Sequence, residues 1–348
     1  MLDSSSLLTR AEADLACCTK AHSILIAVSG GPDSMALLRL VAHWAQASNR
    51  PKVFAATVDH ALRDTSQEEA RQVAAWCAPL QIDHAILTWA GAKPKSRIQE
   101  MARAARYDLL IAHAQTMGCD MLLTAHHGDD QAETILFRLL RGSGIAGLAG
   151  MAPEIMRGGI RHFRPLLTWS KSELIKLCED LGQNFIRDPS NQNPSFARTR
   201  LRNLLPDLAR EGLERDGFAR LASRARRAEE ALDQVAQARF DHLHTIDPSG
   251  YVTLDGLSWL EEPEEIRIRL IGLALIRTKG SSPKPDPIAR LEQIETLNGL
   301  LEQALIKGEA FRQTLGGCLI SCSIDKRLAI QHEPPRRRPS SAATAKPD

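Results

Sequence analysis

Six residues, Ser29-Gly30-Gly31-Pro32-Asp33-Ser34, join a short β-branched run at 23–28 to a helical pattern with Met35, Leu37, Leu38, Val41 and Trp44 on one face. Two glycines let a backbone turn sharply and approach a ligand closely. Pro32 suits a first-turn helix position, where free N–H groups and the positive end of the helix dipole attract an anion. Ser29 and Ser34 add hydroxyl donors. The loop therefore reads as a phosphate or pyrophosphate site. It has no Gly-Lys-Ser/Thr, so it is not a Walker A loop. It carries Asp33 instead, and an acid beside phosphates makes sense when a cation, Mg²⁺, lies between them.

A second constellation is Ala125-His126-His127-Gly128-Asp129-Asp130-Gln131-Ala132-Glu133. The two histidines follow an apolar run, where imidazoles can donate to a phosphate or a carbonyl. Asp130 and Glu133 lie three apart on the helix that opens there, an anionic pair fit for an ammonium group. One of them would have to help that amine lose a proton before it could act as a nucleophile. Asp129 reads more simply as a carboxylate favoured by the helix N-terminus. Arg103 and Arg106 share one helical face and can reach one anion. A zinc site built on Cys119, His126 and His127 lacks the four ligands at zinc spacing.

These residues need a frame. Strand-like runs at 23–28, 53–58, 82–87 and 121–124 alternate with helical patterns, including 98–117 and 129–141. Asp64 with Gln67 and Ser170 with Glu173 resemble capping boxes. Alternation of this kind predicts an α/β fold, a doubly wound parallel sheet that binds ligands at the carboxyl ends of its strands. The polar clusters fall at those ends: the loop after the first strand, Asp59-His60 after the second, His126-His127 after the fourth. Ser29 to Ser34 together with Asp59 and His60 are thus the expected nucleotide contacts. The GxGxxG match at Gly142 to Gly147 follows a helix rather than a strand and lacks the context of a dinucleotide site.

The 348 residues suffice for two domains, 43% hydrophobic and 25% charged. The expected division is 1–215 for the nucleotide domain, 216–333 for a smaller, mostly helical domain ending in a hairpin near Gly316-Gly317, and 334–348 for a disordered tail. No run of eighteen apolar residues occurs and the N-terminus lacks an apolar core, so the expected location is the cytoplasm, away from membranes. Seven scattered cysteines without a CxxC argue against a disulfide framework. The net charge of +2 demands no polyanion partner. Residues 196–227, however, hold nine arginines against four acids, a local charge of +5. Such a basic face suits a phosphate backbone.

The hexapeptide resembles the PP-loop of the ATP pyrophosphatases, which cleave ATP between its α- and β-phosphates. Further segments resemble one branch of that family, the tRNA(Ile)-lysidine synthetases. Val58-Asp59-His60-Ala61-Leu62-Arg63 is similar to VDHGLR, with Ala61 where glycine is usual. The helix with Glu100, Arg103, Arg106 and Tyr107 is similar to EAxARxxRY, and residues 125–134 to AHHxDDQAET. Arg141-Gly142-Ser143-Gly144 with Gly147-Leu148, then Arg164-Pro165-Leu166-Leu167, then Asp188-Pro189-Ser190-Asn191 complete the run. Thr199 departs from the asparagine common after Arg198.

The resemblance covers roughly residues 23–210 and implies an ATP- and Mg²⁺-dependent ligase that works on the wobble cytidine of a minor isoleucine tRNA. The base's 2-carbonyl oxygen is adenylylated, and the amine of free L-lysine then displaces AMP. On this reading Asp33, Arg103, Arg106, His126, His127, Asp130 and Glu133 carry the chemistry, and Asp130 and Glu133 hold the lysine. Arg141, Arg198, Arg200 and Arg202 contact tRNA, as does the second domain, and a homodimer is compatible with the pattern. A thiolation enzyme would need reactive cysteines, usually paired. A small-molecule amide synthetase would not need the arginine-rich segment. A non-catalytic RNA chaperone would leave the acids unexplained.

Overall fold

The computed structural model describes residues 4–63, 65–91, 93, 96–187, 197–248, 250–280 and 289–333. It divides into two compact units, Met1–Arg226 and Arg227–Asp348. The boundary lies inside one helix, α9 (Arg215–Leu243), whose start the sequence marks by the end of the strand–helix alternation.

The first unit is built on a six-stranded sheet of order β3-β2-β1-β4-β6-β5. Its strands are β1 (Ser23–Ala27), β2 (Lys52–Asp59), β3 (Asp83–Thr88), β4 (Met121–Leu123), β5 (Glu154–Arg157) and β6 (Ile160–Phe163). All neighbours pair in parallel except the β5–β6 hairpin. Period-2 alternation serves both faces. Ile24 and Ile26 enter one core with α1 (Ser4–Asp14), α2 (Pro32–Trp44), α3 (Ser66–Cys77) and α7 (Lys171–Asp180). Leu25 enters the other, against Tyr107, Leu110 and Ala114 of α4 (Ile98–Thr116). Each fully buried leucine contributes about 1.5–3 kcal/mol, so Leu25→Ala would cost roughly 2–5 kcal/mol with its cavity.

The helix over 98–117 forms as expected, and Ser170 caps α7 reciprocally with Glu173. The Asp64–Gln67 box is different. The helix starts at Ser66 with Thr65 at its N-cap and no side-chain cap bond, while Thr65 Oγ1 donates to Glu69. Asp64 lies outside the described residues. Beyond the expected elements, α1 buries Leu7 and Ala11 at helical spacing, and Leu15 just after it joins the same core. Helix α5 (Gly128–Leu139) leads through the GxGxxG segment to the short α6 (Ile145–Leu148), and α8 (Ala197–Arg210) packs with the start of α9 on Ala132, Ile135 and Leu136.

The second unit, expected as helices plus one hairpin, contains a whole antiparallel sheet of order β7-β8-β11-β10-β9. The strands are β7 (His244–Ile246), β8 (Val252–Asp255), β9 (Phe311–Leu315), β10 (Cys318–Cys322) and β11 (Arg327–His332). Gly316 and Gly317, at φ +58° and +75°, make the two-residue turn between β9 and β10. With α10 (Gly256–Leu260), α11 (Glu264–Lys279) and α12 (Leu291–Lys307), the sheet encloses a core that includes Phe240, Trp259, Leu270 and Ile320. Residues 188–194 and 334–348 lie outside the described residues.

Candidate active site

The strand order reverses between β1 and β4, so their carboxyl ends open a crevice at the switch point. The loop after β1 forms one wall and the segment after β4 the other. In the loop Gly30 has φ +84°, and a Cβ there would stand 2.6 Å from Ile186 Cδ1 and 2.9 Å from Val73 Cγ2. Only glycine fits. Ile186 N donates to Gly30 O at 2.8 Å and clasps the turn. Ser34 is spent on the loop itself: its Oγ accepts from Ser29 N at 3.1 Å and donates to Gly31 O at 3.0 Å. Helix α2 has Pro32 in its first turn and no side-chain cap, which leaves its N-terminus to a ligand.

On one side of the crevice the charges are negative. Asp33 Oδ2 lies 3.3 Å from Lys171 Nζ and 3.5 Å from His127 Nε2. His127, 2% exposed, also stands 3.5 Å from Asp129 through Nδ1 and 3.5 Å from Asp130 through Nε2. Burial alone would lower the His127 pKa, but Asp129, Asp33 and Asp130 together outweigh it and push it up to about 10. Against the desolvation that opposes them, the same contacts hold Asp33 below the usual carboxylate range and bring Asp129 to about 2.

A cavity of about 330 Å³ adjoins this cluster, lined by His127, Asp129, Glu133, Lys171, Arg202 and Phe218, among others. Its carboxylates are Asp129 and Glu133, four apart on α5, and Glu214 just before α9, so that Asp129 rather than the expected Asp130 lines it beside Glu133. Asp130 is occupied at the helix start, where it accepts from His127 N at 3.1 Å. Glu133 is buried and accepts from Arg202 Nε at 2.6 Å through Oε1. Arg202, expected on tRNA, therefore belongs to this cavity, and Asp129 carries more than a helix-end charge. Lys171 was not singled out by sequence at all.

The other side is positive. Arg103 and Arg106 flank the Tyr107 ring at 5.3 and 5.1 Å, and Arg157 of β5 covers it at 4.1 Å. Arg164, 7% exposed, is pinned by a bond to Ala152 O. Tyr107 Oη, Arg157 Nε and Arg164 Nε are buried without hydrogen-bond partners among the described residues. His126 lies near these cations and bonds Thr124. Burial, then Arg103, Arg164 and Arg106, depress its pKa to about 2.

The remaining expected residues are more scattered. Buried Asp59 accepts from Ala61 N at 2.8 Å and shapes the turn after β2. His60 meets the Trp89 ring edge-on at 6.1 Å, and burial, then Arg106, lowers its pKa. Arg141 is exposed and covers Phe137 at 4.1 Å. Arg200 is exposed on α8, and the side chain of Arg198 is outside the described residues.

A cation fits one place in particular. Asp33 Oδ1 is buried and unpartnered, while Oδ2 is already held by Lys171. Among the described residues no group of three or more His, Cys, Asp or Glu surrounds a metal point. The protein's share would be one carboxylate, which suits Mg²⁺ carried on phosphates and water.

Loop, switch point and doubly wound sheet define a class, and residues 5–208 match the model of the PP-loop domain. The chain is 44% identical to a tRNA(Ile)-lysidine synthase of Methylobacterium sp. (strain 4-46), covering 93% of this chain and 92% of that one. It is 42% identical to a tRNA(Ile)-lysidine synthase of Bradyrhizobium sp. (strain BTAi1 / ATCC BAA-1182), covering 90% and 91%. The fold is also that of a U34-tRNA thiolase, NcsA, from Methanococcus maripaludis, at TM-score 0.52 and 16% identity, over 63% of this chain and 80% of that one. The chain belongs to the tRNA(Ile)-lysidine synthase family of PP-loop enzymes.

Proposed function

We propose that this chain joins L-lysine to the wobble cytidine, position 34, of the minor CAU-anticodon isoleucine tRNA at the expense of ATP. The 2-carbonyl oxygen of the base attacks the α-phosphorus and pyrophosphate leaves. The lysine amine, having lost a proton, then attacks C2, and AMP departs with the oxygen. The product pairs with A instead of G and moves both decoding and aminoacylation from methionine to isoleucine. A C–N ligase of this kind handles a polyanion and a cation in one crevice. The observation that carries the reading is that division: guanidiniums on one side, carboxylates on the other, with the phosphate loop's Asp33 among the carboxylates.

In this scheme the loop from Ser29 to Ser34 wraps the ATP phosphates, with Asp59 and His60 at the nucleotide's flank. Asp33 would hold Mg²⁺ through Oδ1, and the ion would supply charge for the departing pyrophosphate. Arg103 and Arg106 bind the developing negative charge, where preorganised donors act without reorganisation. His127, held protonated by its carboxylates, adds a cation beside the phosphates. Glu133 offers its second oxygen to the lysine ammonium while Arg202 keeps the first, and Asp130 and Asp129 set the potential that attracts the amine. Arg141, Arg198 and Arg200 meet tRNA together with the second unit. No described helix is long and apolar enough to cross a membrane, and the cytoplasm is the proposed place of work. The test is mass spectrometry of tRNA nucleosides after incubation with ATP and isotopically labelled lysine. A labelled cytidine derivative is expected only with both substrates, and its absence would overturn the reading.

A further inference from the structure

Four side chains form a continuous hydrogen-bonded line across the sheet. Arg164 Nη2 lies 3.3 Å from His162 Nδ1, His162 Nε2 lies 2.8 Å from Thr124 Oγ1, and Thr124 Oγ1 lies 2.8 Å from His126 Nδ1. The direction of every bond follows from the far end. A guanidinium can only donate, so His162 Nδ1 must accept and the His162 proton must sit on Nε2. Nε2–H then donates to Thr124 Oγ1. The one hydroxyl proton of Thr124 is left for His126 Nδ1, which accepts it. The proton of a neutral His126 is thereby placed on Nε2.

The line is rigid. His162 is fully buried on β6, paired in register with Leu122 of β4, and Thr124 N donates to Phe163 O at 3.2 Å. His126, only partly buried, is the member next to the crevice, at the end of the strand that neighbours the phosphate loop.

We propose that Arg164, His162 and Thr124 are positioning residues that hold His126 as its neutral Nε2–H tautomer, aimed as a hydrogen-bond donor at a phosphoryl oxygen of ATP. The inference rests on the proposed reaction for its ligand but on geometry alone for its tautomer. The ligand chemistry follows from the neighbours: Arg103 and Arg106 share this side of the crevice and demand an anionic oxygen. Burial, then Arg103, Arg164 and Arg106, keep His126 uncharged, and burial, then Arg164 and Arg157, bring His162 to about 3. A neutral donor here stabilises charge on oxygen without surrendering a proton to it. That is the opposite arrangement to the protonated His127 one residue on. The same logic, a buried partner selecting the tautomer of an imidazole, governs catalytic triads.

The experiment reads the tautomer directly, by nitrogen-15 NMR of histidine-labelled full-length chain without substrates. His126 protonated on Nε2 is expected, and Thr124→Val, which keeps the shape but removes the hydroxyl, should release it to a mixture of tautomers. In tRNA-dependent pyrophosphate release, Thr124→Val should lower kcat about ten- to a hundredfold, below the 10²–10³ typical of deleting a donor outright. KM for ATP should move less than about threefold, and Thr124→Ser should restore both readouts. A wild-type His126 protonated on Nδ1 would overturn the relay, and that spectrum decides the matter even if Thr124→Val does not fold. Equal kcat for Thr124→Val and Thr124→Ser would overturn the positioning role. A wild-type chain with the Nε2–H signature that never labels tRNA would sink the proposed reaction and leave the relay standing.

Discussion

His126 and His127 are neighbours in the chain, yet they live in opposite electrostatic worlds. Leaving β4, the extended backbone sends one imidazole toward Arg103, Arg106 and Arg164, where its pKa falls to about 2. It sends the next toward Asp33, Asp129 and Asp130, where the pKa rises to about 10. Burial opposes the charged form in both. What differs is the sign of the neighbours, and that sign is set by the period of two in a strand. A single strand end can therefore divide a crevice into a cationic half and an anionic half. An enzyme that brings ATP and an amine together needs both, kept apart enough that they do not neutralise each other.

The most damaging way to break this division is to remove the loop carboxylate from its anionic half. Asp33→Ala should leave the fold intact and reduce pyrophosphate release by roughly 10²–10³-fold, since both the cation anchor and a His127 partner are lost. A folded variant with normal release would take Asp33 out of the mechanism. A smaller loss is expected on the anionic side alone. Glu133→Gln should raise the lysine concentration for half-maximal rate about ten- to a hundredfold, the roughly 1.5–3 kcal/mol of a charged hydrogen bond. Adenylylation of tRNA without lysine should survive; if both steps fail together, Glu133 belongs to the ATP half.

Acidity sharpens the comparison from the cationic half. His126, His162 and the half-buried His84, lowered to about 4 by desolvation, stay neutral in the fold. The unfolded chain takes up protons on these residues below their ordinary value of 6.5, so their contribution is intact above pH 6.5 and is lost as pH falls. The thermal midpoint should drop about 5 °C or more between pH 6.5 and 4, and His84→Gln should flatten that slope. A midpoint that rises on acidification would contradict the assignment.

Outside the crevice the effects shrink. Arg202 is tied to Glu133, so the salt dependence of tRNA binding should come from exposed arginines such as Arg220 and Arg224 on α9. Replacing those two by alanine should flatten the log–log slope by about one to two units, with ATP binding unchanged. An unaltered slope would move the RNA surface elsewhere. Smallest of all is Ala61→Gly. Ala61 stands at φ +49°, in the left-handed region that favours glycine, the residue of the VDHGLR pattern it resembles. The substitution should stabilise by about 0.5–1 kcal/mol and leave both halves of the site as they are. A destabilised Ala61→Gly would mean that unfolded-chain entropy outweighs the strain.

Which of these features could be read in advance follows a physical line. The four parallel strands, the loop and the Ser170–Glu173 cap are local patterns, and each sits within a residue or two of its expected place. The β5–β6 hairpin was missed although Gly158 and Gly159 stand between its strands, because four-residue strands barely show alternation. In the second unit only the Gly316–Gly317 turn signalled what is a five-stranded sheet. Arg157, Arg164, His162 and Thr124 meet through the pairing of β4 with β6 and β5 with β6, a long-range register that no local spacing encodes. Glu133 and Arg202 are likewise 69 residues apart. Residue types were legible, but partners were not.

The clasp on the phosphate loop has a consequence for how the molecule is born. Gly30 is held by Ile186, and Asp33 by Lys171 at a separation of 138 residues. A ribosome adding about 5–20 residues per second needs roughly 7–28 s to pass from the loop to that lysine. Until then the glycine turn has no clasp and the aspartate has only His127 of its two cationic partners, so an emerging chain cannot complete its nucleotide pocket from the N-terminal strands alone. Such high-separation contacts close late in folding. The contacts that fix the phosphate loop thus become possible only near the end of the domain's synthesis.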